Sequence, residues 1–275
     1  MNGKSLKLKL LATRHSPLAT RHSPLATRYL PVRAVHAAIT HMEITPIGYI
    51  NSPYKQKFAI PRQPGLVPEA TGEIIFSEDF SDPNCLREIE QFSHLWLIFQ
   101  FHETVDKGWT PTVQPPRLGG KEKVGVFASR STFRPNGLGL SVVTNLGWEQ
   151  QGSTLVLKVG GIDLLDKTPV IDIKPYLPYA DTVPDASSGY AEEKPGHDHD
   201  IVFSPEAEAA LLKLEKENPD LRAFITSVLK QDPRPAWRKK PEDAKSYGMA
   251  LMDINIKWCI YNNQVKVLRL EKIIS

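Results

Sequence analysis

The chain reads as α+β and mainly β: short strands forming a barrel or sandwich, followed by a small α+β module. Three observations predict this. Short apolar or alternating runs at residues 71–76, 154–159 and 170–176 are separated by Pro- and Gly-rich loops, the pattern of an all-β architecture. No strand–helix–strand alternation and no Gly-x-Gly-x-x-Gly motif occur, so a Rossmann nucleotide site is not expected. Clear helical patterning begins only after Ser204-Pro205, an N-cap followed by a first-turn proline.

In chain order, residues 1–41 come first. A seven-residue unit, Leu-Ala-Thr-Arg-His-Ser-Pro, occupies 11–17, repeats at 18–24 and begins again at Leu25. A proline in each copy excludes a heptad helix. Basic and acid-free, the segment also resembles a transit peptide. The preferred expectation is a disordered extension, translated from upstream of a start at Met42. Residues 44–50 read as the first strand, with Pro46 near its start. Pro53, Pro61, Pro64 and Gly65 make 52–66 an ordered loop that aims Arg62 and Gln63 between two prolines. After the strand 71–76, Asp82-Pro83 signals a helix start. Residues 94–101 form a nearly continuous apolar run, expected as a strand buried on both faces and ending at His102-Glu103.

A second Pro/Gly loop, 109–120, carries Arg117. The stretch 121–141 follows. Its apolar run Val124 to Ala128 leads into Arg130, Ser131, Thr132, Arg134 and Asn136, interrupted by Pro135, Gly137 and Gly139. Arginines four apart beside hydroxyls and glycine backbone make a donor-rich loop suited to an anionic or polar ligand. Strands at 141–146 and 154–159 flank a turn at 150–153, and loop 160–169 carries Asp163 and Asp166 before the strand at 170–176. Residues 181–203 read as a linker or long loop, so the expected domains are 42–180 and 204–275. Within the linker, the alternating His197, Asp198, His199 and Asp200 form only a weak metal pattern, and no metal is expected. Helices are expected from Pro205 and from Asn218-Pro219. Residues 232–241 then place Arg234, Arg238, Lys239 and Lys240 around Trp237, a composition that suits RNA phosphates and unstacked bases. Residues 254–260 alternate as a half-buried strand, and Asn262-Asn263 turns it into a hairpin.

Composition narrows the function classes. The chain carries 34 Lys+Arg and 31 Asp+Glu, but its first 41 residues hold seven basic side chains and no acid. The remainder therefore has 27 against 31, a balance of −4, so RNA binding must use local basic patches. The only two cysteines, Cys85 and Cys259, give neither a disulfide framework nor a zinc pattern. No apolar run approaches a membrane span, so a soluble, cytoplasmic protein with no membrane partner is expected.

The motifs together carry a resemblance. Gly125-Val126-Phe127-Ala128-Ser129-Arg130-Ser131 continuing to Arg134-Pro135-Asn136 and Gly139 is similar to the signature of the TrmO (TsaA-like) family of tRNA methyltransferases. So are Tyr54-Lys55-Gln56-Lys57-Phe58 with Pro61-Arg62-Gln63-Pro64-Gly65, Pro115-Pro116-Arg117-Leu118-Gly119-Gly120, Asp172-Ile173-Lys174-Pro175-Tyr176, and Asp232-Pro233-Arg234-Pro235 with Tyr247. The resemblance spans residues 43 to about 271. Thr132 and Gly137-Leu138 depart from the residues common in the family.

That resemblance implies transfer of a methyl group from S-adenosylmethionine to N6 of threonylcarbamoyladenosine, beside the anticodon of threonine tRNA. It implies a single-sheet, non-Rossmann β-barrel followed by a small C-terminal domain, and a homodimer. Cofactor-lining positions carried over are Pro61, Arg62, Gln63, His102, Glu103, Arg130, Leu140, Ile162, Asp163, Leu164 and Leu165. A general base could take the proton of the acylated nitrogen, and Asp163, Asp166 and His102 are unranked candidates. Arg134, Asn136, Arg234, Arg238, Lys239 and Lys240 are the candidate tRNA contacts. The alternative is a non-catalytic RNA-binding or regulatory barrel.

Overall fold

The computed structural model describes residues 42–194, 199–234 and 245–273. The first eight strands are β1 Gly48–Asn51, β2 Thr71–Phe76, β3 His94–Gln100, β4 Thr112–Val113, β5 Val124–Gly125, β6 Leu138–Gln151, β7 Thr154–Gly160 and β8 Pro169–Pro175. Six of them form one antiparallel sheet in the order β1-β2-β7-β6-β3-β8, and β4 with β5 makes a separate two-stranded ribbon. β8 pairs back to β1 through Gly48↔Val170 and Tyr49↔Pro169, so the six-stranded sheet closes and leaves no edge strand.

Closure depends on β6, whose 14 residues serve two neighbours. Its first half pairs with β3, from Gln100↔Leu138 to His94↔Thr144, and its second half pairs with β7. Between Asn145 and Trp148 the register shifts, and Gly147 takes a φ of 90° there. Asn145 pins this bulge. Its Nδ2 donates to the carbonyls of Ile89 (2.8 Å) and Phe92 (2.9 Å), and its Oδ1 accepts from the Gly147 N–H (3.0 Å). A bulge sharpens local twist, which lets one long strand turn the corner of a small closed sheet.

The C-terminal part adds β9 Asp200–Phe203, β10 Ser246–Leu251, β11 Ile254–Tyr261 and β12 Gln264–Lys272, in the order β10-β11-β12-β9. Helices Pro205–Leu214 and Leu221–Lys230 accompany this second sheet. Ser204 caps the first by accepting from the Ala207 N–H at 3.1 Å. Residues 44–275 form one compact unit with a continuous apolar core. Tyr54, fully buried, lies with its ring 5.9 Å from Phe224 and its backbone bridged to Leu251. The Met252 N–H donates to Pro53 O (2.7 Å), and Ser227 Oγ donates to Glu69 (3.0 Å).

Several expectations are modified. Leu95, Leu97 and Phe99 of β3 are buried, but Trp96, Ile98 and Gln100 are half-buried, so the strand is not enclosed on both faces. Trp96 Nε1 instead donates to Asp181 (3.0 Å) of the short helix Pro178–Asp181. The apolar run from Val124 is a strand only to Gly125, and Val126–Ala128 is a 3-10 turn. Asp82 starts a 3-10 turn, Pro83–Leu86, and not an α-helix. The segment read as a linker ends in β9, which pairs in parallel with β12; that non-local pairing has no signature in a four-residue run. Residues 1–41, His197, Asp198, Trp237, Arg238, Lys239 and Lys240 lie outside the described residues.

Gly48 sits where β1 meets both β2 and β8. A Cβ there would lie 2.2 Å from Ile75 O, a backbone atom that cannot rotate away. Gly48→Ala is expected to cost about 1–3 kcal/mol, the usual range for overpacking. Urea unfolding monitored by tryptophan fluorescence would show this as a lowered midpoint.

Candidate functional site

Loop 160–168 between β7 and β8 is held in place by the segment that follows β1. Ser52 donates its backbone N–H to Asp166 Oδ1 (2.8 Å) and its buried hydroxyl to Leu164 O (2.7 Å). The Asp166 N–H returns to Tyr54 O (2.9 Å), and Lys55 Nζ lies 2.8 Å from Asp166 Oδ2. On the other side, the Gly65 N–H donates to Gly161 O and the Gly161 N–H to Ala70 O, each at 2.8 Å. Gly161 has a φ of 66°, which suits glycine where the loop doubles back against Gly65.

So fixed, the loop presents Asp163 to the middle of β6. Ser141 Oγ, itself buried, donates to Asp163 Oδ1 at 2.7 Å. Burial pushes the Asp163 carboxyl up to about 6; the Ser141 hydrogen bond, its own backbone N–H and the charge of Arg130 pull the other way. Arg130 in turn donates from Nη1 to Gln63 Oε1, which ties the central stretch to the Pro61–Pro64 turn. Ser141, Asp163, Arg130 and Gln63 thus form one linked polar group on three separate segments.

The two loop carboxylates differ sharply. Burial would also raise Asp166, but hydrogen bonds from Lys55 and the Ser52 N–H, with the charges of Lys55 and Lys167, bring it below the ordinary carboxylate value. Asp166 is therefore a clasp in the loop and a weak proton acceptor. His102 lies just beyond β3, with Nε2 4.0 Å from Glu103, and makes no hydrogen bond to Asp163, Arg130 or Gln63 among the described residues.

Other candidates divide by burial. The side chains of Ile162 and Leu164 are core, 0 % and 1 % exposed, so only their main chain can meet a ligand; Pro61 is also buried. Leu140 is 53 % exposed and offers an apolar surface one residue from Ser141. Leu165 is half-buried, and Glu103 is exposed. Arg62 turns away from its neighbour Gln63 and lines a different cavity, with Asp232 and Arg234. Arg134 is half-buried and braces its own loop through Ser129 O (3.1 Å), while Asn136 is exposed in a left-handed conformation (φ 65°). Arg234 is not offered to solvent: it is 5 % exposed and paired to the buried Asp232, Nε to Oδ1 at 2.8 Å. Sequence reasoning missed Ser141 and Ser52. Each is an ordinary strand or loop serine whose role depends on a partner remote in sequence.

The donor set fits a zwitterionic, nucleoside-bearing cofactor. Arg130 suits a carboxylate, main-chain groups of loop 160–165 suit polar edges, and Leu140 suits an aromatic face.

Comparison with known proteins agrees. The family model for the tRNA-methyltransferase O N-terminal domain matches residues 49–182, and that for the TrmO C-terminal domain matches 197–273. The chain is 48 % identical over 233 residues to the tRNA (adenine(37)-N6)-methyltransferase of Escherichia coli (strain K12), covering 85 % of this chain and 99 % of the relative. It is 44 % identical to a putative S-adenosylmethionine-dependent methyltransferase, RcsF, of Pseudomonas aeruginosa, over 80 % of this chain and 93 % of that one. The crystal structure of TrmO from Pseudomonas aeruginosa superposes with a TM-score of 0.69 at 38 % identity, covering 84 % of this chain and all of the other. The chain belongs to the tRNA-methyltransferase O family.

Proposed function

We propose that this protein is an S-adenosylmethionine-dependent tRNA methyltransferase acting on N6 of adenosine 37, with threonylcarbamoyladenosine in threonine tRNA as its substrate. Family membership across both modules supports the reaction class. The observation that carries the residue assignment is the Ser141–Asp163 pair beside Arg130. When bound, S-adenosylmethionine supplies an electrophilic methyl group on a cationic sulfur. The chain must hold the acceptor nitrogen in line with it and remove one proton.

Asp163 is the general base in this reading. The carbamoyl group withdraws the N6 lone pair and acidifies its N–H, so a carboxylate near pH 6 is matched to the task. Ser141 occupies one carboxylate oxygen and leaves the other for the N6 proton. Arg130, Gln63, Leu140 and the main chain of 162–165 hold the cofactor, and the Arg130–Gln63 bond sets the guanidinium's direction before binding. Arg134 and Asn136, with Arg238, Lys239 and Lys240, contact tRNA.

The same proposal takes the closed sheet as a non-Rossmann barrel domain over 42–180 and the C-terminal module as an RNA-facing domain. It includes a homodimer, supported by Phe127 (77 % exposed), Phe133 and Leu140 on the stretch that carries Arg130. A cytoplasmic location is supported by the two free cysteines; no described helix is long and apolar enough to cross a membrane.

The reading is tested with methyl-labelled cofactor, tRNA bearing threonylcarbamoyladenosine, and nucleoside analysis of the product. Absence of the N6-methylated nucleoside would overturn it. Activity should rise through about pH 6 as Asp163 loses its proton and then level off. Asp163→Asn should lower kcat at least about 100-fold. It should also stabilise the fold at pH 7.5. The folded-state value lies above the ordinary 3.8, so the folded chain binds this proton longer, and the group's contribution falls as pH rises from about 4 to 6. Thermal unfolding at pH 5 and 7.5 checks that sign.

Arg130→Ala should weaken cofactor binding about 10-fold or more in calorimetry. Arg134→Ala should leave cofactor binding intact while lowering methylation of tRNA.

A further inference from the structure

A cavity of about 230 Å³ opens where the Pro-rich loop of the closed sheet meets the C-terminal module. Lys57 and Arg62 line it from the loop; Gln231, Asp232 and Arg234 line it from the chain after helix Leu221–Lys230, and Val228 gives it an apolar patch. Its charges are not balanced internally. Arg234 and Asp232 pair with each other, both buried. That leaves the cations Lys57 and Arg62. Lys57 rests on the Phe58 ring at 5.2 Å, a contact that orients an ammonium without neutralising it. Arg62 makes no hydrogen bond or ion pair with any described residue, although its guanidinium carries five donors. Burial holds it below its ordinary value; Asp232 opposes this, and the like charge of Arg117 adds to it. A cation partly stripped of water and crowded by another gains from an arriving anion.

One further group is unmatched. Gln231 Oε1 is buried with no hydrogen-bond partner. A buried acceptor of this kind costs about 1–3 kcal/mol until a donor meets it. The cavity therefore lacks an anion on one side and a donor on the other. Inorganic phosphate or an RNA backbone phosphate supplies only acceptor oxygens, which a buried carbonyl repels. An N-carbamoylated amino acid supplies both: a carboxylate, and donors in its urea N–H and side-chain hydroxyl. The cavity is also next to the reacting centre along the chain, because Arg62 lines it while adjacent Gln63 holds Arg130 in the field of Asp163.

We propose that this cavity is the specificity subsite for the threonyl arm of the substrate nucleoside. Arg62 and Lys57 take the carboxylate, and Gln231 Oε1 accepts from the urea N–H or hydroxyl. The inference rests on the methyltransferase reading above. It explains how an enzyme acting on one adenine nitrogen selects the acylated base: the binding energy of the arm places N6 beside Asp163.

The test uses the full chain and two tRNAs that differ only in the arm, one with the free carboxylate and one with the primary carboxamide. Wild type should lose about 10- to 100-fold in kcat/KM on the carboxamide, the scale of one charged hydrogen-bond pair. Arg62→Leu and Gln231→Leu should lose a similar factor on the carboxylate substrate. Arg62→Leu should lose little further on the carboxamide, and its cofactor affinity in calorimetry should match wild type. Excess unmodified tRNA, which has the phosphates but no arm, should inhibit wild type and Arg62→Leu equally. Equal wild-type turnover of both tRNAs would overturn the subsite, a conclusion that needs no variant to fold. Weakened cofactor binding in Arg62→Leu would return that residue to the cofactor site, and unequal inhibition would assign it to backbone phosphate; either overturns the proposal. If wild type methylates neither tRNA, it is the methyltransferase reading that fails.

Discussion

The contact on which the rest of the structure depends is the clasp between the end of β1 and the loop before β8. Ser52 uses its N–H on Asp166 and its hydroxyl on Leu164 O, while Asp166 also takes Lys55 and returns its own N–H to Tyr54 O. It joins residues more than 110 positions apart. The same segment continues into Tyr54, whose buried ring meets Phe224 and whose backbone meets Leu251. One short stretch thus closes the first sheet, shapes the loop that presents Asp163, and seats the C-terminal module. Buried and partly buried hydrogen bonds of this kind leave little freedom, because breaking one strands a polar group without water.

The clasp also explains why two carboxylates three residues apart have opposite characters. Asp166 is surrounded by donors and cations, so its charged form is stabilised. Asp163 has one hydroxyl partner and a more distant guanidinium, which do not offset its burial. Stability and reactivity are divided between them: one acid holds the loop, and the other is kept near neutrality. Arg62 and Gln63 show a similar division. Consecutive residues between two prolines face different cavities, so the stiff turn couples the arm-binding side to the side where Gln63 meets Arg130.

Much of the fold was legible from local pattern. The strand 71–76 matches β2, 154–159 matches β7 to within one residue, and Ser204-Pro205 starts a helix as capping chemistry requires. Asn262 and Asn263 take positive φ angles in the hairpin turn, the conformation asparagine tolerates best after glycine. The misses share a cause. β9 is four residues paired in parallel with β12, β3 has only one enclosed face, and Arg234 lies in a basic, proline-rich run yet is buried against Asp232. Strand pairing and burial depend on what approaches from elsewhere, and a single segment does not encode it.

The sequence by itself determined the mainly β class, the strand and helix periods, the turn chemistry and the set of polar residues available for catalysis. These follow from side-chain alternation and backbone preference, which act over a few neighbouring residues. Only the tertiary structure decided which acid is the base, which arginine faces which cavity, and which serine positions the carboxylate. Those properties are set by desolvation and by partners as remote as Ser141 from Asp163, 22 positions away, and Ser52 from Asp166, 114 positions away. Such partners exist only once the sheet has closed.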